Sequence, residues 1–349
     1  MLLRTLHRLG RRGAAGSLAL AIAAVAGDGS AKAQDFWAGK QLSLIIGTDA
    51  GTGYDVYGRL VGRHITKHVP GKPVLVPQNL TGAGSKRAAE HMAVVAPKDG
   101  TVIAIVFPGA IAEPLAIERS KWRYDPAKFE FLGTADSGTR LCSTRLESKV
   151  KTFEQARQEV ATIGASAPGG STFDYPTMLN ALAGTKFKVV AGYKATVDIA
   201  IAVDRGEVDG WCGVEISTYM SVRPEWLTKR AANNMIQLGM EPSPEMTAMG
   251  IPTVWQFVPP ENRKALELIV SQQVFQRPFI APPGTPPDRV KQLQDAFMAT
   301  MKDPEFLAEA DRIKVTVGPR SGPEVAALVA SMYAAPQAII DQMAKAIRP

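Results

Sequence analysis

From Gln41 onward, short apolar runs alternate with stretches whose apolar side chains recur every three or four residues. Strands alternating with helices leave this pattern, and it predicts parallel sheets covered by helices. Residues 41–48 predict a buried strand, and residues 54–69 a helix whose Tyr57, Leu60, Val61, Ile65 and Val69 share one face. Residues 74–78 predict a second strand, 85–95 a second helix, and 102–107 a third strand after the Lys98-Asp99-Gly100 turn. Together these make one βαβαβ lobe.

A second set starts near Phe131. Strands are predicted at 141–145, 162–165, 188–190 and 208–212, with helices at 174–182 and 197–205 between them. Thr152-Phe153-Glu154-Gln155 has the form of a capping box and opens a further helix. The second lobe follows the logic of the first without repeating its sequence. Residues 241–260 are rich in Pro and Met, and from Arg277 the chain runs through a strand, a Pro-rich turn at 281–287 and helices. The expected organisation is an export signal at 1–33, lobe 1 at 34–135, lobe 2 at 136–245, and a return to lobe 1 with C-terminal helices over 246–349. Two lobes of this size suit a ligand cleft between them.

With 46% apolar and 21% charged residues over 349 positions, the chain can bury a core and is no disordered tail. Two cysteines exclude a small disulfide scaffold. A net charge of +7 points toward nucleic acid or a membrane surface, but Arg4, Arg8, Arg11, Arg12 and Lys32, against Asp28 alone, place more than half of it in residues 1–33. Those arginines precede a small-residue apolar run at 14–26, and Ala31-Lys32-Ala33 has the small-x-small form that a signal peptidase accepts. Gly13-Ala14-Ala15 after Arg11-Arg12 lacks the context of twin-arginine export, which favours general secretion. The expectation is a periplasmic protein cleaved near Ala33, with no nucleic-acid partner. No later apolar run approaches the roughly 20 residues a spanning helix needs.

Two glycine-bearing loops, each between a strand and a helix, are the first candidates for chemistry. Thr48-Asp49-Ala50-Gly51-Thr52-Gly53-Tyr54-Asp55 lies in the first lobe, and Ser166-Ala167-Pro168-Gly169-Gly170-Ser171-Thr172 in the second. Glycines let backbone N–H groups approach an anion, and a helix N-terminus favours negative charge. A plain glycine turn with Asp55 fixing the helix start is the other reading of the first loop. Facing lobes aim both loops into one crevice at the strand C-termini. Gly84 and Ser85 before a helix, and Phe107 after a strand, are further walls. The sequence lacks the P-loop ending, the dinucleotide fingerprint, a Gly-x-Ser-x-Gly elbow and a His-Glu-x-x-His helix. His64 and His68 stand one turn apart but have no nearby carboxylate in sequence to complete a metal set. Cys142 and Cys212 fall in predicted strands of the second lobe; a disulfide and two buried thiols both stay open.

Several segments in order resemble the periplasmic substrate-binding receptors of tripartite tricarboxylate transporters, the Bug-type receptors. They are Ala50-Gly51-Thr52-Gly53-Tyr54-Asp55, Asn79-Leu80-Thr81-Gly82-Ala83-Gly84, Ala96-Pro97-Lys98-Asp99-Gly100, Gly192-Tyr193, Arg205-Gly206-Glu207-Val208-Asp209-Gly210 and Ala281-Pro282-Pro283-Gly284-Thr285-Pro286. The resemblance implies a type II periplasmic binding-protein fold, two α/β lobes joined by crossover strands and closing on a ligand. It implies a carboxylate held by the loops at 48–55 and 166–172, largely through backbone amides, and delivery to membrane transporter subunits. Asp49 and Asp174 depart from the family pattern, and added carboxylates disfavour a polyanion. The expected ligand is therefore a small organic acid or an amino acid, with Phe107 and Tyr193 as apolar wall.

The expectation is a monomeric solute receptor without cofactor, metal or catalytic residues. Its ligand contacts are Thr48, Asp49, Gly51, Thr52, Gly53, Asp55, Gly84, Ser85, Phe107, Ser166, Gly169, Gly170, Ser171, Asp174 and Tyr193. A periplasmic enzyme working on a small acid through Asp49, Asp174 or Tyr193, and a receptor feeding a signalling partner, are the alternatives.

Overall fold

The computed structural model describes residues 36–116, 121, 123–168 and 170–347. The expected export signal, its cleavage near Ala33, and Gly169 lie outside these residues.

The apolar runs form two separate sheets. β1 (Gln41–Ile46), β2 (Val74–Asn79), β3 (Val102–Ile105), β4 (Glu130–Thr134), β10 (Pro278–Ala281) and β11 (Arg320–Ser321) make a six-stranded sheet in the order β11-β4-β10-β3-β1-β2. β5 (Arg140–Thr144), β6 (Ala161–Ala165), β7 (Phe187–Ala191), β8 (Gly210–Glu215) and β9 (Asn233–Leu238) make a five-stranded sheet in the order β7-β6-β8-β5-β9. In the first, β1 pairs in parallel with β2 and β3; in the second, β6 pairs in parallel with β7 and β8. In the first sheet β10 runs antiparallel to β3 and β4, and β11 to β4; in the second, β5 runs antiparallel to β8 and β9. β10 and β5 are the strands that follow a passage from the other lobe. The chain crosses once between β4 and β5 and returns between β9 and β10, so two crossovers join the lobes as the type II fold requires.

The strand Glu130–Thr134 belongs to the first sheet, where it pairs with β10, a partner far away in the chain.

Local chemistry explains the element boundaries. Thr52 caps the helix Gly53–Ile65, accepting from the Asp55 amide, and Tyr54, Tyr57, Leu60, Val61 and Ile65 turn inward onto the first sheet. The capping box at Thr152 is present, with Gln155 answering it, ahead of the helix Phe153–Gln158. Cys142 and Cys212 stand opposite each other on β5 and β8 and are joined by a disulfide, which ties the strand that arrives from the first lobe into the second. The C-terminal helices Gly322–Tyr333 and Gln337–Ile347 meet at a 95° bend. The first lies on β4, whereas the second crosses to pack on the helix Ser171–Ala183 of the other lobe. No single helix among the described residues is long and apolar enough to cross a membrane.

The register of β4 on β10 slips between Phe279 and Ile280, and Gly133 sits opposite Phe279 at φ +150°. A Cβ there would lie 2.5 Å from the Phe297 ring and 2.8 Å from the Arg320 carbonyl oxygen. Both neighbours are fixed, Phe297 by the core and Arg320 by the β11 ladder. Gly133→Ala should therefore lower stability by about 2–4 kcal/mol. Urea unfolding checks this: the midpoint should fall with the slope unchanged.

Candidate functional site

The C-terminal end of β8 and the segments that follow β3 and β6 face the space between the lobes. There lies a cleft of about 800 Å³, open to solvent. Gly84, Phe107, Gly170, Ser171 and Asp174 line it, and so the structure brings these sequence-selected residues together from both lobes. Thr48, Asp49, Gly51, Thr52, Gly53, Asp55, Ser85, Ser166 and Tyr193 are not among its lining residues.

The first loop turns much of its polarity on itself. The Gly51 N–H donates to Asp55 Oδ2 at 2.9 Å, Thr52 Oγ1 donates to the Asp49 carbonyl at 2.8 Å, and the Thr48 and Thr52 hydroxyls meet at 2.7 Å. Burial works against the charge of Asp55, but donors from Arg59, Gly51 and Asn79 hold its carboxyl below the usual range. Tyr54 of this loop lines the cleft, and the position of the missing Cβ of Gly53 is 4.0 Å from Arg277 Nη2. In the second loop the Ser166 N–H and hydroxyl both pair with Thr172 Oγ1 at 2.9 Å. Tyr193 packs against the apolar cluster around Ile199 and Trp211. Gly82, Ala83, Gly84 and Ser85 all have positive φ, a run that places the Gly84 backbone at the cleft and hides Ser85, whose hydroxyl donates to the Gly47 carbonyl at 3.0 Å.

The strongest electrostatic feature was not singled out from the sequence. Arg140 opens β5 directly opposite Glu215, the last residue of β8, and Arg277 immediately precedes β10. All three side chains are nearly buried, at 16, 14 and 12% exposure. Arg140 Nη2 donates to Glu215 Oε1 at 2.8 Å and its Nη1 to the Gly213 carbonyl at 2.9 Å. Arg277 Nη2 stands 3.5 Å from the other oxygen of Glu215, and its Nη1 donates to the Gln276 carbonyl at 3.1 Å. Gln276, its amide nitrogen turned toward Glu215, donates to both carboxylate oxygens at 2.8 and 3.1 Å.

Arg277 belongs to the first lobe and Glu215 to the second, so this ion pair spans the lobes. The Arg277 guanidinium also lies over the rings of Tyr54, at 4.4 Å, and Tyr57, at 4.9 Å. Burial opposes its charge, yet Tyr54, Glu215, Tyr57 and Asp136 hold it more firmly protonated than an ordinary arginine. Burial likewise pushes the Tyr54 hydroxyl up to about 12, and that hydroxyl donates to the Gln276 carbonyl at 2.8 Å. The Nε–H of each arginine is buried with no acceptor among the described residues. Sequence carried one signal for the pair: an arginine at the start of each of two otherwise apolar strands, RLCST and, just before it, PFIA. A buried strand tolerates a charge at its end only where a partner waits.

Outside the cleft, His64 and His68 face carboxylates that the fold supplies from the helix at 304–312 and its cap. His64 Nε2 is 2.6 Å from Glu309 and His68 Nε2 is 3.1 Å from Asp303. Lys67 Nζ already sits among the atoms that a metal would need, 3.0 Å from His64 Nδ1 and 2.5 Å from Glu305.

The topology and cleft define a two-lobed α/β fold of the type II periplasmic binding-protein kind. No protein-family model and no curated protein sequence matches the chain. Solved structures share its fold. A TctC solute-binding protein from Polaromonas superposes with a TM-score of 0.67 at 16% identity, covering 87% of this chain and 97% of its own. The R. palustris protein Rpa4515, solved with adipate, gives 0.60 at 19% identity over 89% of this chain and 98% of its own. MatC from Rhodopseudomonas palustris, with bound malate, gives 0.59 at 18% identity over 88% and 99%.

Behind the arginines, in the β4–β5 crossover, Asp136 accepts from Thr316 Oγ1 at 3.0 Å and from Tyr57 at 3.3 Å. Burial, helped by Glu215, pushes its carboxyl up to about 6. The same group titrates near 3.8 when unburied, so between these values the folded chain binds more protons than the unfolded one. Stability therefore falls as pH rises through that window. Asp136→Asn keeps an acceptor and removes the ionisation. Relative to wild type it should gain on the order of 2–3 kcal/mol between pH 4 and pH 7 and then level off. Urea unfolding across that range tests it, and a difference constant with pH would mean that Asp136 titrates ordinarily.

Proposed function

We propose that this chain is an exported solute receptor that captures a small organic acid between its lobes and hands it to membrane transport subunits of the tripartite tricarboxylate kind. One observation carries this reading: two nearly buried guanidiniums from opposite lobes line one cleft and are its lysine or arginine residues among the described residues. A carboxylate there gains charge-assisted hydrogen bonds in a site of low dielectric. The adipate and malate bound by R. palustris proteins of the same fold support an acid as ligand. The export signal expected at the N-terminus places the receptor in the periplasm.

Capture follows from population shift. A ligand that touches Arg277 on one lobe and Arg140 or Ser171 on the other favours the closed form by its differential affinity for it. Thermal-shift and calorimetric screening of organic acids tests the reading. At a hundred times its Kd, a bound acid should stabilise the fold by about 2.7 kcal/mol, and it should be recovered unchanged. Gly53→Phe should fill the space beside Arg277 and weaken binding at least about tenfold while the ligand-free melting temperature stays near wild type. Wild-type affinity in that variant would remove Arg277 from the ligand contacts.

A further inference from the structure

His64 lies in the last turn of the helix Gly53–Ile65, and Asp303 caps the helix Pro304–Arg312, whose first turn carries Glu305. One ligand atom from each of His64, Asp303 and Glu305 lies within 4.8 Å of the other two. The Lys67 ammonium stands among them, 3.0 Å from His64 Nδ1, 2.5 Å from Glu305 Oε2 and 3.6 Å from Asp303 Oδ2. An ammonium only donates, so Nδ1 accepts and the ring proton sits on Nε2, which gives it to Glu309 Oε2 at 2.6 Å. Arg63 in turn donates twice to the other oxygen of Glu309. Asp303 is held as well: its Oδ1 accepts from the Glu305 N–H at 2.9 Å, and His68 Nε2 lies 3.1 Å from its Oδ2. A carboxylate behind the imidazole, and donors behind the carboxylate, are the supports that orient the ligands of a metal ion.

We propose that His64, Asp303 and Glu305 form a zinc site in which the Lys67 ammonium holds the place of the ion until zinc displaces it. One imidazole nitrogen with two carboxylates is a ligand set that suits zinc, with water at the fourth position, whereas calcium asks for six or more oxygens. Two carboxylates face a single ammonium here, so a dication balances their charge more fully. Zinc bonds to these atoms are about 2.0–2.2 Å long, and the ligands must draw in around the smaller ion. The side chains that have to move are the accessible ones: Glu305 is 76% exposed and closes, while Lys67 is 40% exposed and swings into water on its flexible stem. The ion ties together two helices of the first lobe. Tyr54, at the opposite end of the first of them, lines the cleft, so the site braces the lobe behind the ligand without touching it. The proposal is independent of what the cleft binds.

Calorimetric titration of Zn²⁺ into the chelator-treated mature chain tests this, with thermal melting measured alongside. Wild type should bind one zinc ion per chain and melt at a higher temperature when saturated, whereas calcium at the same concentration should leave the melting temperature unchanged. Lys67→Met keeps the apolar stem and removes the ammonium, and it should tighten zinc binding at least about tenfold. Glu305→Gln, a change at an exposed side chain, should weaken it at least about tenfold. A wild-type chain that binds no zinc overturns the proposal. So does an affinity unaltered in Glu305→Gln, which places the ion elsewhere, or a calcium effect equal to that of zinc. Lys67→Met binding zinc no more tightly than wild type also overturns it, because Lys67 then does not compete for the ion's position. Should Lys67→Met fail to fold, wild type and Glu305→Gln decide.

Discussion

The structure turns on the chain of charges Arg140, Glu215 and Arg277 buried between the lobes. Two guanidiniums this far from solvent repel each other and each loses its hydration, and the effective penalty for an unpaired buried ion is several kcal/mol. Glu215 lies between them and meets both. The geometry is set by strand register, since Arg140 is the residue directly opposite Glu215 and Arg277 stands where β10 begins beside the end of β3. Backbone pairing, which is cheap to specify, thereby places charges that would be expensive to misplace.

The topology explains why these two positions face each other. β5 and β10 are the strands that arrive from the opposite lobe, so their first residues lie at the crossovers and at the floor of the cleft. A charge at the start of either strand is close to the hinge and to the ligand space at once. Asp136 in one crossover and Gln276 in the other meet the same network, the first through Tyr57 and Thr316 and the second through Glu215. Lobe separation and the ionic state of the cleft are therefore coupled by contact rather than by distance.

Most elements were legible in the sequence because their signals are local. The strand–helix alternation, the Thr152 capping box and the helix after Thr52 rest on side chains within a few residues of one another. The two glycine loops were legible as loops, and Gly84, Phe107, Gly170, Ser171 and Asp174 reach the cleft. Arg140, Glu215 and Arg277 were not, for a physical reason. The two arginines stand out only as charges at apolar strand ends, and the joint meaning of the three exists only once distant strand ends are brought to one point. The pairing of β4 with β10 was hidden in the same way, because that partner lies on the far side of the second lobe in the chain.

Anchoring an acid by side-chain guanidiniums differs in kind from anchoring it by a nest of backbone amides. Amides in a loop are fixed in number and carry no counter-ion, so a ligand that leaves them exchanges only with water. Here the arginines already hold Glu215 across the lobes, and under the proposed function an incoming carboxylate would meet donors that Glu215 already engages. The lobes are then partly drawn together before any ligand arrives, and the ligand's contribution to closure is the surplus of its contacts over those that Glu215 makes alone.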